Sequence, residues 1–247
     1  VSAHAAATGG SGAASGGSAA ATGTALRVMT YNLHGLRDDR AALVRVVRAA
    51  APDVLVLQEA AGRLRTRGRC GRVARMFGML WGAGGLDSVG NLVLTTLRVR
   101  VHRAGALRYP LTPGRHLRGA AVAHCSAGLT PFTVVATHLS TDPGERPAQA
   151  RLLRATVDAL PGPVLLAGDL NDTPDSEAWR VLAGGRVDAA GTGSPATFPA
   201  RAPRRRIDAV LVDPSVGVRA CRVVDGPDAR RASDHLPVVA DLLLPGE

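Results

Sequence analysis

The chain has 247 residues, a length that fits one larger domain with a substantial core. Aromatic residues make up only 3% of it, so Val, Leu and Ala must fill that core. Its formal net charge is +10, and every cationic side chain other than histidine is an arginine. That balance suits an anionic, phosphate-bearing partner, or a solvated arginine surface produced by a general compositional bias.

Cys70, Cys125 and Cys221 form no CxxC pair and their number is odd, which argues against a disulfide framework and a zinc site. No apolar run approaches the roughly 20 residues that span a bilayer.

Residues 1–25 are Gly, Ser, Ala and Thr with almost no charge and read as a flexible leader before a domain over 26–247. The leader has neither the basic start nor the apolar centre of a signal peptide. A cytoplasmic location is the expectation, with secretion as the alternative if a signal peptide preceded Val1.

Leu26 to Asn32 reads as a buried strand. Asp38 or Asp39 then caps a helix through Ala51, with Leu43, Val46 and Val47 on one face. Pro52 stops it, and Asp53 to Glu59 forms a second buried strand. The Arg-rich segment Arg63 to Arg75 enters another helix. Strands follow over Gly90 to Thr96, Val99 to Gly105, Arg118 to Cys125 and Pro131 to Leu139.

Glu145 to Leu160 is an amphipathic helix, with Ala148, Leu152, Leu153, Val157 and Leu160 inward. Val164 to Asp169 is a strand, and a short helix covers Asp175 to Ala183. Strands in "RIDAVLV", "VRACRVV" and "PVVADLLL" complete the chain. Strands that are apolar on both sides need cover on both faces. Two packed sheets with helices outside satisfy this count.

Polar residues recur where these apolar strands end. Asn32 ends the first and Glu59 the second. His138 follows "TVVAT". Asp169 and Asn171 follow "VLLAG". Asp208 lies in "RIDAVLV", and Asp234 and His235 stand before the last strand. The "GDLNDTPDS" stretch admits two readings: a strand end running into a helix cap, or an active-site edge with Asp169 and Asn171 on one face.

Phosphoester hydrolysis needs such a set. A carboxylate can hold Mg²⁺ through oxygen, another can place a water, and amide and imidazole donors can meet charge on the phosphoryl oxygens.

The ordered pieces "MTYNLHG", "LQE", "GNLVLTT", "ATHLS", "GDLND", "TF", "RIDAVLV" and "SDHLPV" resemble the endonuclease/exonuclease/phosphatase superfamily, the deoxyribonuclease I-like proteins. They cover the chain from about Leu26 to Leu244.

The resemblance implies an α+β fold: a four-layer α/β/β/α sandwich of two packed, mostly antiparallel sheets flanked by helices. It implies a metal-dependent phosphoester hydrolase. Glu59 would be the principal metal ligand, with Asn32 and Asp234 on the metal side. His138 would contact the scissile phosphate. Asp169 would position or deprotonate the attacking water, and Asn171 would donate to the phosphoryl oxygens. Asp208 would orient His235. Whether Asp169 or His235 takes the water's proton stays open.

Asn91 and Arg118 are candidates for substrate phosphate. Arg115, and Arg63, Arg65 and Arg67 beside the Glu59 strand, are weaker ones. His34 and His116 read as loop residues. Two features depart from the family. Ala209 stands where an aromatic is common, and no acid upstream of His138 suggests itself as its partner.

The expected cofactor is Mg²⁺, with Mn²⁺ as an alternative. The expected partner is a phosphate ester, either nucleic acid or a phosphorylated headgroup, met by a monomer. A phosphodiesterase is the leading reading. A phosphatase or phospholipase C-type hydrolase of an inositol or lipid headgroup is the alternative, and a silent binding module on the same fold the lesser one.

Overall fold

A computed structural model describes residues 23–60 and 66–246. The leader therefore lies outside the described residues up to position 22, as do Arg63 and Arg65.

The first strand, β1 (Gly23–Asn32), begins three residues earlier than the sequence suggested. A 3-10 turn (His34–Leu36) and α1 (Arg40–Ala50) follow. Asp39 is the cap of α1, its side chain accepting from Ala42 N at 2.9 Å. Next come β2 (Val54–Gln58), α2 (Thr66–Phe77), β3 (Leu80–Gly84), β4 (Leu92–Thr95), β5 (Val99–Arg108), β6 (Gly119–Ala127) and β7 (Thr130–His138). After them stand α3 (Arg146–Asp158), β8 (Val164–Asp169), α4 (Glu177–Ala183), β9 (Val187–Asp188) and β10 (Asp208–Val212). The described chain ends with β11 (Gly217–Val223), α5 (Pro227–Ala232) and β12 (Val238–Pro245).

The strands form two six-stranded sheets, in the orders β11-β12-β1-β2-β4-β3 and β5-β6-β7-β8-β10-β9. Only β1–β2 and β7–β8 are parallel. Those two pairs are joined through α1 and α3, because a parallel pair needs a long crossover.

Period-two alternation sorts the side chains into layers. Val54 and Val56 of β2 face the other sheet, and Leu55 and Leu57 face the helices. In β8, Leu165 and Ala167 point between the sheets while Val164 and Leu166 meet the helical layer over the second sheet. Helices α1, α2 and α5 cover the first sheet, and α3 and α4 cover the second. This is the α+β sandwich expected, with helices outside both sheets.

The inward face of α3 differs from the expectation. Arg146, Gln149, Ala150, Leu153 and Val157 are buried, whereas Ala148 and Leu152 are exposed. Two polar residues displace them because each has a fixed partner. Arg146 Nε donates to Asp172 Oδ2 at 2.8 Å, and the Gln149 carbonyl accepts from Ser140 N at 2.8 Å. The missing family aromatic is a packing matter: Ala209 is buried in the same outer cluster as Trp179. Among the described residues no helix is long and apolar enough to cross a membrane.

Candidate active site

The inward-facing stripe of each central strand turns polar at the same end of the sandwich. In β1 the stripe runs through Val28 to Thr30 and Asn32, and in β2 through Val54 and Val56 to Gln58. Asn32 pairs in register with Gln58, and Glu59 follows directly. In the second sheet His138, Asp169 and Asp208 sit level on three neighbouring strands. Residues level with one another share a face, so all three side chains enter the end of the space between the sheets.

Asp169 is the meeting point. Its Oδ2 accepts from Asn32 Nδ2 at 3.0 Å and lies 3.2 Å from His138 Nε2 and 3.7 Å from His235 Nε2. Its Oδ1 accepts from Asn171 N at 2.8 Å. Burial by itself would raise this carboxyl, which is 1% exposed. The neighbouring His138 and His235 rings and the Asn171 N–H outweigh burial and hold it below the ordinary carboxylate range.

At Nδ1, the side away from Asp169, the partner of His138 is a cation rather than an acid. Arg118 Nη1 lies 3.2 Å from His138 Nδ1. A guanidinium has only donors, so Nδ1 must accept, which places the ring proton on Nε2, facing Asp169. Arg118 is thereby half-committed. Burial lowers its basicity, opposed by Glu59 and Asp169, and its Nε is a buried donor without a partner among the described residues.

His235 is braced from behind. Its Nδ1 lies 3.0 and 3.2 Å from the two Asp208 oxygens. Burial works to lower its basicity, but Asp208 and Asp169 prevail and raise it to about 10. Burial raises the Asp208 carboxyl in turn.

Three residues quoted in the motifs but given no role there complete the brace. Phe198 lies against the His235 ring, with centroids 4.8 Å apart. Ser233 Oγ donates to Asn32 O at 2.7 Å and accepts from His235 N at 3.2 Å. Thr197 Oγ1 accepts from Ile207 N at 3.2 Å, at the entry to the Asp208 strand. The "TF" and "SDH" strings were the available signal. Their contacts join distant parts of the chain, which no local pattern reveals.

Strand exits are sharply turned. Glu59 (φ 55°), Asn171 (φ 52°) and His34 (φ 46°) all have left-handed backbone just beyond β2, β8 and β1. Asn tolerates this, but for Glu it costs of order 1 kcal/mol or more and points to function. The "GDLNDTPDS" stretch satisfies both of its readings. Ser176 caps α4, accepting from Trp179 N at 3.2 Å, and Asp169 faces the site.

Other candidates are placed as follows. Asn171 Nδ2 donates to Leu139 O at 3.0 Å, leaving one amide hydrogen. Asn91 donates to Ser88 O at 2.7 Å and Gly119 O at 2.9 Å, so both amide hydrogens brace the backbone and none remains for a phosphate. Arg115 is paired with Asp142 at 2.5 Å. His34 sits between Asp38 (2.7 Å) and Asp234 (3.8 Å). Glu59, Arg118 and His116 line an open cleft of about 650 Å³ together with Arg37, Arg69 and Arg108.

The sequence model of the endonuclease/exonuclease/phosphatase family matches residues 29–235. The chain belongs to that family. Comparison with curated proteins by sequence found no match. Among solved structures, the endonuclease/exonuclease/phosphatase protein of Beutenbergia cavernae is 28% identical over 90% of this chain and 72% of its own, with a TM-score of 0.69. D. rerio TDP2 in complex with a single-strand DNA product is 19% identical over 89% and 99%, with a TM-score of 0.74. A mannosyl-6-phosphatase of Bacteroides thetaiotaomicron is 18% identical over 88% and 99%, with a TM-score of 0.71.

Members of the endonuclease/exonuclease/phosphatase family are typically dependent on a divalent metal. Two places here offer ligands. Asp169, Asp208 and His235 have ligand atoms within 4.8 Å of one another, but His235 Nδ1 is engaged with Asp208 and the Asp169 oxygens with Asn32, Asn171 N and His138. Glu59 is different. Its half-buried carboxylate lines the cleft and, among the described residues, takes part in no ion pair. Asp234, in the loop that enters β12, the strand two places away in the same sheet, is half-exposed. Asn32 lies between them, its Oδ1 accepting from His34 N at 3.0 Å with a second lone pair left over. Two carboxylates and an amide oxygen are hard donors that suit Mg²⁺, so the residues fit.

Proposed function

We propose that this chain hydrolyses phosphodiesters with the help of a divalent metal, Mg²⁺ in the first place. The observation that carries the reading is Asp169, an ionised buried carboxylate ringed by Asn32, His138 and His235, and linked to a basic cleft through Arg118, which lines the cleft and contacts His138.

Glu59, Asn32 and Asp234 would hold the metal. When bound there it supplies neutralisation of phosphoryl oxygens and of the departing alkoxide. Asp169 orients the water for in-line attack and accepts its proton. Asp208 and Asp169 favour the protonated form of His235, which leaves the acceptor role to Asp169. The His138 Nε2–H and the His235 Nε2–H, now facing the Asp169 carboxylate, and the uncommitted Asn171 amide hydrogen meet the equatorial oxygens. One P–O bond forms to the water oxygen and the bond to the leaving group breaks, giving a phosphomonoester and an alkoxide that takes a proton from solvent to become the alcohol. Arginines around the cleft and the fold likeness to a protein solved with a single-strand DNA product support a nucleic-acid diester over a small headgroup.

The test is turnover of bis-(para-nitrophenyl) phosphate with Mg²⁺ and with chelator, beside the corresponding monoester. Metal-dependent release from the diester, faster than from the monoester, is expected. Glu59→Gln keeps the shape and removes the charge, so at limiting Mg²⁺ the metal requirement should rise at least tenfold. Equal turnover in chelator, or an unchanged metal dependence in the variant, would sink the assignment.

A further inference from the structure

The catalytic cleft continues down one side of the sandwich. It shares Leu86 with a second depression of about 680 Å³, and that one shares Trp81 with a third of about 470 Å³. The path follows the seam where the edge strands of the two sheets meet. A Cβ on Gly82 of β3 would lie 2.9 Å from Val101 of β5, so the edges touch. Register gives the path its direction. Arg108 is level with Gly119 and His138 at the catalytic end, and Val99 is at the opposite end of β5. A strand of ten residues spans roughly 30 Å.

Three features of this seam have no role in the chemistry already described. The first is Trp81. Of two tryptophans, two tyrosines and three phenylalanines, it alone is classed as exposed, at 40%. Its indole N–H donates to Ala83 O at 3.2 Å, so the polar edge is satisfied and the ring is held. The second is charge. Arg69 in the cleft, Arg67 in the second depression, and Arg100 and Arg103 in the third pair with no carboxylate among the described residues. The acids along the path are Glu59 and Asp87, and Asp87 is tied to Arg108 at 2.7 Å. The third is exposed apolar surface between the charges, from Leu80 and Leu86.

A fixed aromatic face, flanking cations and small apolar surfaces in a concave track are what an unpaired strand of nucleic acid needs. Bases stack on the ring and phosphates meet the arginines. A duplex hides its base faces, and a membrane surface favours a protruding apolar element over a groove. We propose that the β3–β5 seam binds single-stranded nucleic acid leading into the cleft, with Trp81 as the stacking platform and Arg67, Arg69, Arg100 and Arg103 along the backbone. This rests on the phosphodiesterase reading and names its substrate class.

The experiment is equilibrium binding of the full chain, metal-free, to labelled homothymidine and homouridine oligonucleotides, to inorganic polyphosphate and to phosphatidylglycerol vesicles. Trp81→Ala should weaken oligonucleotide binding about tenfold and leave polyphosphate binding unchanged, while Trp81→Phe retains most of the affinity. Arg100→Gln with Arg103→Gln should lower the slope of log affinity against log salt by roughly 0.7 per arginine. Thermal melting checks that each variant folds. The homothymidine and homouridine arms separate DNA from RNA.

Equal losses for oligonucleotide and polyphosphate in Trp81→Ala would overturn the stacking platform. Vesicle binding in the absence of oligonucleotide binding would overturn the partner. If the wild type turns over bis-(para-nitrophenyl) phosphate but binds no strand, the seam proposal fails alone. If it binds strands in the predicted manner but turns over no diester, the phosphodiesterase reading fails alone.

Discussion

Asn32 Nδ2 donates to Asp169 Oδ2 across 3.0 Å, and the two residues belong to different sheets. The site is thus assembled at the seam between the layers, and its geometry depends on how the sheets pack. Asn32→Ala would deprive the buried Asp169 carboxylate of one donor and His34 N of its acceptor. Leaving such groups short costs about 1–3 kcal/mol each. The variant should lose stability on that scale in urea denaturation and lose most of its turnover. A variant that is fully stable and active would show that the inter-sheet bond positions nothing.

His235 and Asp208 should fail together. With His235 Nδ1 at 3.0 Å from Asp208 Oδ2, the carboxylate holds both the ring's orientation and its proton. Groups acting as a unit are non-additive on mutation. Asp208→Ala and His235→Ala should each cost about 10²-fold or more in kcat, and the double variant scarcely more than the His235 change alone. Losses that multiply in the double variant would argue that the two side chains act separately.

Much of this arrangement was legible in the chain because burial and alternation operate locally. The stripes of Val, Leu and Ala in β2 and β8 announce two-sided burial, and Asn32, Glu59 and Asp169 stand out as polar residues terminating them. What could not be read is contact between distant segments. The Arg118–His138 pair exists because β6 and β7 place Gly119 level with His138, and nothing near either residue signals it. Thr30 and Gln58, hydrogen-bonded to one another beneath the site, look like ordinary strand residues until the register is known.

Short elements were also hidden. β3 carries Trp81 between Leu80 and Gly82 and has only five residues, and α5 has six, too few for a periodic signal. On α3, Leu152 was expected inside on apolarity alone. The structure favours Arg146 and Gln149 there, since their hydrogen bonds order the segments that leave β7 and β8 beside the site.

Gly168 tests how closely the catalytic strand must approach its neighbour. Its φ is 154°, and a Cβ there would lie 2.0 Å from Thr137 O in the adjoining strand β7. Gly168→Ala should therefore push β7 and β8 apart one residue before Asp169, at a cost of about 3 kcal/mol or more. Gly71, in the middle of α2, meets only a flexible Arg75 Nη1 at 3.7 Å. Gly71→Ala should instead stabilise by about 0.5–1 kcal/mol, since alanine is the better helix former. Urea denaturation of the two variants should move in opposite directions. A neutral Gly168→Ala would show that β7 and β8 are free to shift.

The charge state of His235 should be visible in how stability depends on pH in the metal-free protein. Its folded value is raised to about 10 from an ordinary 6.5, first against burial and then by Asp208 and Asp169. The folded state therefore binds the proton more tightly than the unfolded chain. The resulting stabilisation is complete below pH 6.5 and disappears as pH rises through about 10. Denaturation midpoints should fall across that interval, and His235→Asn should flatten the fall. Activity should persist above neutral pH for the same reason, since the ring remains a donor to phosphoryl oxygens until its proton is lost. A wild-type stability profile that stays level from pH 6.5 to 10 and overlays that of the variant would mean that His235 is neutral in the folded protein. It would then be free to act as the base that accepts the water's proton, and Asp169 would be left to orient the water alone.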